Sequence, residues 1–216
     1  ALMAAKFRNA GQACIASNRI LVQAGVYDRF AAMVTQAVQT LNVGNGFHDN
    51  IHIGPLINAQ GLKKVSTQVA DCVNRGATVL TGGNAVHHLN AAGGLFFEPT
   101  VLSGLTKEML PYSQETFGPI VPLMKFTNDA EAIALANDTE FGLAAYFCTQ
   151  DLGRAFHVAE ALEVGIVGVN DGATSLANTP FGGWKESGLG REGGHQGIEE
   201  YLEEKYISMN IGKPHK

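Results

Sequence analysis

The chain has 216 residues, enough for one α/β domain or one domain with an extension. Hydrophobic residues make up 45% and charged residues 16%, which excludes a chain disordered by composition. With 15 Lys+Arg against 20 Asp+Glu the net charge is −5, which argues against nucleic acid as a partner, and no apolar run approaches the roughly 18–20 residues of a membrane helix.

Residues 1–10 are Ala-rich and read as a helix that Gly11 stops. Residues 19–23 read as a buried strand. Over 26–41, the apolar Phe30, Met33, Val34, Ala37, Val38 and Leu41 recur on one helix face. Asn58 caps a second helix, with Leu62, Val65, Val69, Cys72 and Val73 facing inward and Gly76 just past its end. Strands follow at 77–81 and 96–102, separated by a Gly/Asn/His-rich loop over 82–94. Ile120–Phe126 is a strand, Asp129–Asn137 a helix and 144–149 a strand. A helix over 151–162 sets Leu152, Ala155, Phe156, Ala159 and Leu162 on one side, and 166–170 is the last core strand.

This alternation predicts an α/β fold: a mostly parallel sheet with helices on both faces. After Asn170 the chain turns Gly-rich and polar, and 197–211 reads as a short helix and a strand with no hairpin partner. An unpaired strand is an edge that tends to find another sheet. We therefore divide the chain into a domain over 1–183 and a C-terminal arm over 184–216.

The three cysteines, Cys14, Cys72 and Cys148, are far apart and form no CxxC, so neither a disulfide framework nor a cysteine zinc site is expected. The histidines lack metal spacing as well, and no metal is expected. A reducing compartment, the cytoplasm, is the expected location. Cys72 and Cys148 read as core. Cys14 differs, because Gly11 and Gln12 break the helix just before it and leave its backbone N–H free to donate. It also lies between a helix and a strand, where α/β domains place reactive groups. Spacing alone makes it a candidate nucleophile.

Three segments carry a specific resemblance. The stretch Lys6-Phe7-Arg8-Asn9-Ala10-Gly11-Gln12-Ala13-Cys14 resembles the nucleophile segment of the aldehyde dehydrogenase superfamily. Glu115-Thr116-Phe117-Gly118-Pro119 resembles its cofactor-ribose motif, and Pro180 to Glu192 its signature near the C-terminus. They occur in the family's order and span essentially the whole chain. Both the opening segment and the Glu199-Glu200-Tyr201-Leu202 stretch look like the succinate-semialdehyde dehydrogenases. The fold implied is that family's catalytic domain, with an arm whose strand pairs in a homo-oligomer.

The chemistry implied is oxidation of succinate semialdehyde to succinate with NAD or NADP. Cys14 as thiolate attacks the aldehyde, the thiohemiacetal gives up a hydride, and water hydrolyses the thioester. The Cys14 N–H would donate to the developing oxyanion. Glu115 would hold the nicotinamide ribose and Phe117 would pack on the nicotinamide. Arg8 and Ser175 would bind the carboxylate at the far end of a small carboxylated aldehyde, a task that suits the fork of an arginine. Relatives that carry a second cysteine two places after the nucleophile can form a disulfide there; Ala16 removes that device.

The resemblance places the general-base glutamate, the oxyanion-hole asparagine and most of the nucleotide-binding domain ahead of Ala1. The chain opens directly in a helical pattern with no signal or transit segment, and it is expected to be part of a longer enzyme and inactive alone. Gly188 to Gly193 fits the dinucleotide pattern GxGxxG, but follows a Gly-rich loop instead of opening a helix after a strand, so we assign it to turns. Alternatives are a glutarate-semialdehyde or other aldehyde dehydrogenase, a cysteine hydrolase using His157 or His195 as base, and a non-catalytic assembly module.

Overall fold

A computed structural model describes residues 1–91 and 93–212. Ala92 of the 82–94 loop and the last four positions of the 184–216 arm lie outside the described residues. The main sheet has four strands: β1 (Ile20–Gln23), β2 (Thr78–Thr81), β3 (Thr100–Ser103) and β4 (Ile120–Phe126). Their order is β1-β4-β3-β2. β4 runs parallel to both β1 and β3, while β2 closes the edge antiparallel.

Two faces of this sheet are filled, as period-2 alternation in a doubly covered sheet requires. Val101, Val121 and Leu123 point to one side. There they pack with Ala31, Val34 and Val38 of α2 (Tyr27–Gln39). Their neighbours Leu102 and Ile120 point to the other side, against Val65, Val69 and Cys72 of α3 (Ala59–Asn74). Asn58 caps α3 as its position predicts, its side-chain oxygen accepting from the Gly61 N–H at 2.8 Å. Met33 and Val73, expected on inward faces, are exposed.

The second half of the chain builds smaller pieces. α6 (Asp129–Asn137) precedes β5 (Phe141–Gly142) and β6 (Ala144–Phe147), and α7 (Leu152–Ala161) leads into β7 (Ile166–Val169). β6 and β7 pair in parallel. β5 pairs antiparallel with β8 (Trp184–Lys185), so the first two residues of the arm are tied to this half. The Lys185 ammonium reaches the Asn137 and Thr139 carbonyls at 3.0 and 3.2 Å.

Several expectations change. The first helix, α1 (Leu2–Phe7), ends earlier than expected and passes into a 3-10 turn over Arg8–Gly11. The 82–94 loop contains a short helix, α4 (His87–Asn90), and α5 (Leu110–Ser113) was not foreseen. β3 starts later than expected, because Phe97 makes only an isolated bridge to Ala85. The apolar face expected on 151–162 is inward only in part: Leu162 is buried and Ala155 and Ala159 are half-buried, but Leu152 and Phe156 are 72% and 62% exposed. Cys148 is exposed just past β6 rather than in the core. The arm has a 3-10 helix at Gln196–Tyr201, and no strand is formed over 202–212. No helix among the described residues is long and apolar enough to cross a membrane.

Candidate active site

Cys14 sits on a turn whose shape is set residue by residue. Asn9 and Ala10 both adopt left-handed backbone angles, with φ of 52° and 56°. Such angles are costly for residues with a Cβ and tend to mark functional turns. Gly11 follows at φ 75°, where a Cβ would lie 2.3 Å from the Gly118 carbonyl oxygen. Only glycine lets the nucleophile turn approach the Glu115–Pro119 segment so closely.

Side chains hold the turn from three sides. The Gln12 amide donates to the Pro55 carbonyl at 3.2 Å, and its oxygen accepts from the Ile57 N–H at 2.9 Å. Asn18 donates to the Pro111 and Gln114 carbonyls at 2.9 and 3.0 Å and accepts from the Thr116 N–H at 2.8 Å. The Tyr146 hydroxyl on β6 donates to the Ile15 carbonyl at 3.0 Å. Next in sequence, the Arg19 guanidinium donates to the Leu135 and Ala136 carbonyls at 2.7 and 2.9 Å, satisfying the open end of α6. None of these roles was read from the sequence. Asn and Gln flanking a cysteine in an irregular segment were the available signal, but their partners lie 43 to 98 residues away.

Cys14 is exposed, whereas Cys72 is buried and its thiol is pushed up to about 11 by that burial. Exposure leaves Cys14, like Cys148, accessible to a reagent, and burial shields Cys72. Tyr146 reports what surrounds Cys14. Burial raises its pKa first and the Thr174 hydroxyl opposes; charges on Cys14 and Asp171 raise it further, and the Arg8 charge lowers it. Arg8 opens the 3-10 turn that leads into Cys14. Arg8 is exposed and forms no ion pair among the described residues. Ser175 is exposed on the loop after β7, next to Thr174, and its hydroxyl makes no protein hydrogen bond among the described residues. His157 is exposed on α7 and His195 opens the terminal 3-10 helix; neither bonds Cys14 among the described residues.

The second expected pair lies across the turn. Glu115 is exposed, and its backbone carbonyl accepts from Gln68 at 3.4 Å. Phe117 is half-buried with φ of 49°, a strained angle for an aromatic residue, and Lys64 stands 5.9 Å from its ring centre. An exposed carboxylate beside a fixed ring fits a ribose and a planar heterocycle. Beneath them Lys6 is 1% exposed. Its burial lowers the pKa to about 7, with the Glu115 charge acting in the opposite direction. Gly188, Gly190 and Gly193 all have positive φ and lie in turns, as expected.

A mostly parallel sheet, an exposed cysteine on a strained turn and a carboxylate–aromatic segment packed against that turn make up the candidate site of an α/β protein. The chain belongs to the aldehyde dehydrogenase family, whose model matches residues 1–207. It is 53% identical over 206 residues to the mitochondrial succinate-semialdehyde dehydrogenase of Mus musculus, covering 95% of this chain and 39% of that protein. It is 51% identical to the glutarate-semialdehyde dehydrogenase of Pseudomonas aeruginosa, covering 94% of this chain and 41% of that one. A crystal structure of aldehyde dehydrogenase from Brucella melitensis biovar abortus superposes with a TM-score of 0.91 at 52% identity, covering 95% of this chain and 41% of that one. The chain thus spans about two fifths of the length of these relatives.

Proposed function

We propose that the chain carries the nucleophile, the substrate-carboxylate site and the ribose-binding motif of an enzyme that oxidises succinate semialdehyde to succinate. The observation that carries this reading is the strained turn over residues 9–11, which leads from exposed Arg8, without an ion pair among the described residues, to exposed Cys14, whose next carbonyl, that of Ile15, accepts from the Tyr146 hydroxyl. A thiolate at one end and a guanidinium at the other suit an aldehyde that bears a carboxylate.

In this mechanism the Cys14 sulfur adds to the aldehyde carbon, and the carbonyl oxygen takes up the negative charge within reach of the Cys14 backbone N–H. Arg8, helped by the Ser175 hydroxyl, holds the distal carboxylate and sets the carbonyl over the sulfur. NAD or NADP, when bound, would supply the hydride acceptor for oxidation at the carbon held by Cys14. Glu115 accepts from the ribose hydroxyls and Phe117 fixes the ring plane. Water then adds to the thioester, the carbon–sulfur bond breaks, and Cys14 is released. The 184–216 arm, exposed at Tyr206, Ile207, Met209 and Ile211, is the surface for pairing with a second copy, and residues 1–183 form the catalytic part.

Relatives that act on succinate and on glutarate semialdehyde are nearly equally similar, so substrate length is the test. In the longest form its gene encodes, kcat/KM for succinic semialdehyde should exceed that for butanal by roughly a hundredfold, the worth of one charge-assisted carboxylate contact. A higher kcat/KM for glutaric semialdehyde would reassign the substrate within the same class. Equal values for butanal would remove Arg8 from the site.

A further inference from the structure

The Tyr146 hydroxyl donates to the Ile15 carbonyl across 131 residues of sequence, at 3.0 Å. That carbonyl belongs to the residue after Cys14, inside a turn closed by the Ala16 N–H to the Ala13 carbonyl at 2.9 Å. The ring is half-buried against β7. A Cβ on Gly168 would stand 2.6 Å from the Tyr146 Cδ1 and 2.8 Å from the Thr174 Cγ2, so glycine makes room for the phenol and the following loop together. The same loop carries Asp171, Thr174 and Ser175. Tyr146 thus bonds the Cys14 turn through its hydroxyl, while its ring and Thr174, next to Ser175, both close on Gly168.

We propose that Tyr146 is a positioning residue: it locks the Cys14 turn to the loop that carries Ser175, fixing the distance between the nucleophile and the carboxylate end of the substrate. It acts through the Ile15 backbone and need not touch substrate. This rests on the reading of Cys14 as nucleophile. Without the hydroxyl, the Ile15 carbonyl loses its partner and the turn relaxes, while the ring still fills the space above Gly168. A misplacement of about 1 Å at a reacting atom is enough to cost on the order of a hundredfold in rate.

The test is Tyr146→Phe, which keeps the ring and removes one oxygen. Alkylation by iodoacetamide is followed at each cysteine by peptide mass spectrometry, with exposed Cys148 as the control in the same sample. The expected result is that Cys14 labelling slows at least threefold relative to Cys148. In the longest encoded form, kcat for succinic semialdehyde should fall about tenfold with KM unchanged, the pattern of a lost transition-state alignment. Wild-type labelling of Cys14 together with wild-type kcat would overturn the proposal. So would a lowered melting temperature with an unchanged Cys14 to Cys148 ratio, which marks a structural role only. A Cys14→Ser variant that keeps full activity, with Tyr146 in place, would instead sink the nucleophile reading itself.

Discussion

Asn18 and Thr116 are joined by a hydrogen bond of 2.8 Å that spans 98 residues and ties the segment between Cys14 and β1 to the Glu-x-Phe motif. With the bonds from Asn18 to the Pro111 and Gln114 carbonyls, one side chain satisfies three backbone groups on the far segment. Asn18→Ala leaves all of them unpaired. Two of the three bonds are partly buried and the one to Gln114 is exposed; at about 1 kcal/mol for each partly buried bond and less for the exposed one, we expect a loss of about 2–3 kcal/mol in urea unfolding. A loss below about 1 kcal/mol would show that water replaces Asn18 at no cost and that the two motifs are held by Gly11 packing alone.

Lys6 gives a pH-dependent prediction. Its folded pKa of about 7 lies below the ordinary 10.5, chiefly through desolvation. The folded state therefore releases this proton first, and between those values the unfolded state binds more protons. Stability rises with pH through that window, and the burial penalty is fully present below it. Lys6→Met should stabilise the chain by a few kcal/mol at pH 6, with the gain shrinking as pH climbs from about 7 towards 10.5. A Lys6→Met variant less stable than wild type at pH 6 would mean that Lys6 is held by a compensating charge, with Glu115 as the first suspect.

Arg8 should discriminate between substrates. Arg8→Gln is expected to lower kcat/KM for succinic semialdehyde by roughly 10- to 100-fold and to leave butanal turnover nearly unchanged, since only the carboxylated substrate uses the guanidinium. Ser175→Ala should act in the same direction by less than tenfold, the worth of one neutral hydrogen bond. Equal losses on both aldehydes would show that Arg8 supports the turn and not the substrate.

The parts legible in the sequence are those governed by local periodicity. Ile120–Phe126 and Asp129–Asn137 match their expected limits because an apolar run and a capped helix each declare their own ends. The Asn128 side chain caps the latter at 3.0 Å. The helix break at Gly11 and Gln12 singled out Cys14 as a candidate, while the roles expected of Arg8, Glu115 and Phe117 came from family resemblance, since strand or helix pattern does not tell an exposed side chain from a buried one. Cys148 shows this: strand pattern alone put it in the core, and it lies outside. Leu152 and Phe156 mislead in the same way, because periodicity reports which side of a helix is apolar and not whether anything packs there. Tyr146, Asn18 and Gln12 escaped because their partners are distant backbone groups, which leave no trace in spacing.

The central claim is that Cys14 is the nucleophile of aldehyde oxidation. The most direct measurement is NAD(P)H formation from succinic semialdehyde by the wild-type and Cys14→Ser proteins, each in the longest form its gene encodes. The account predicts steady turnover by the first and at least a thousandfold loss in the second, the scale expected when a covalent nucleophile is removed. Turnover by Cys14→Ser at a rate close to wild type would contradict it.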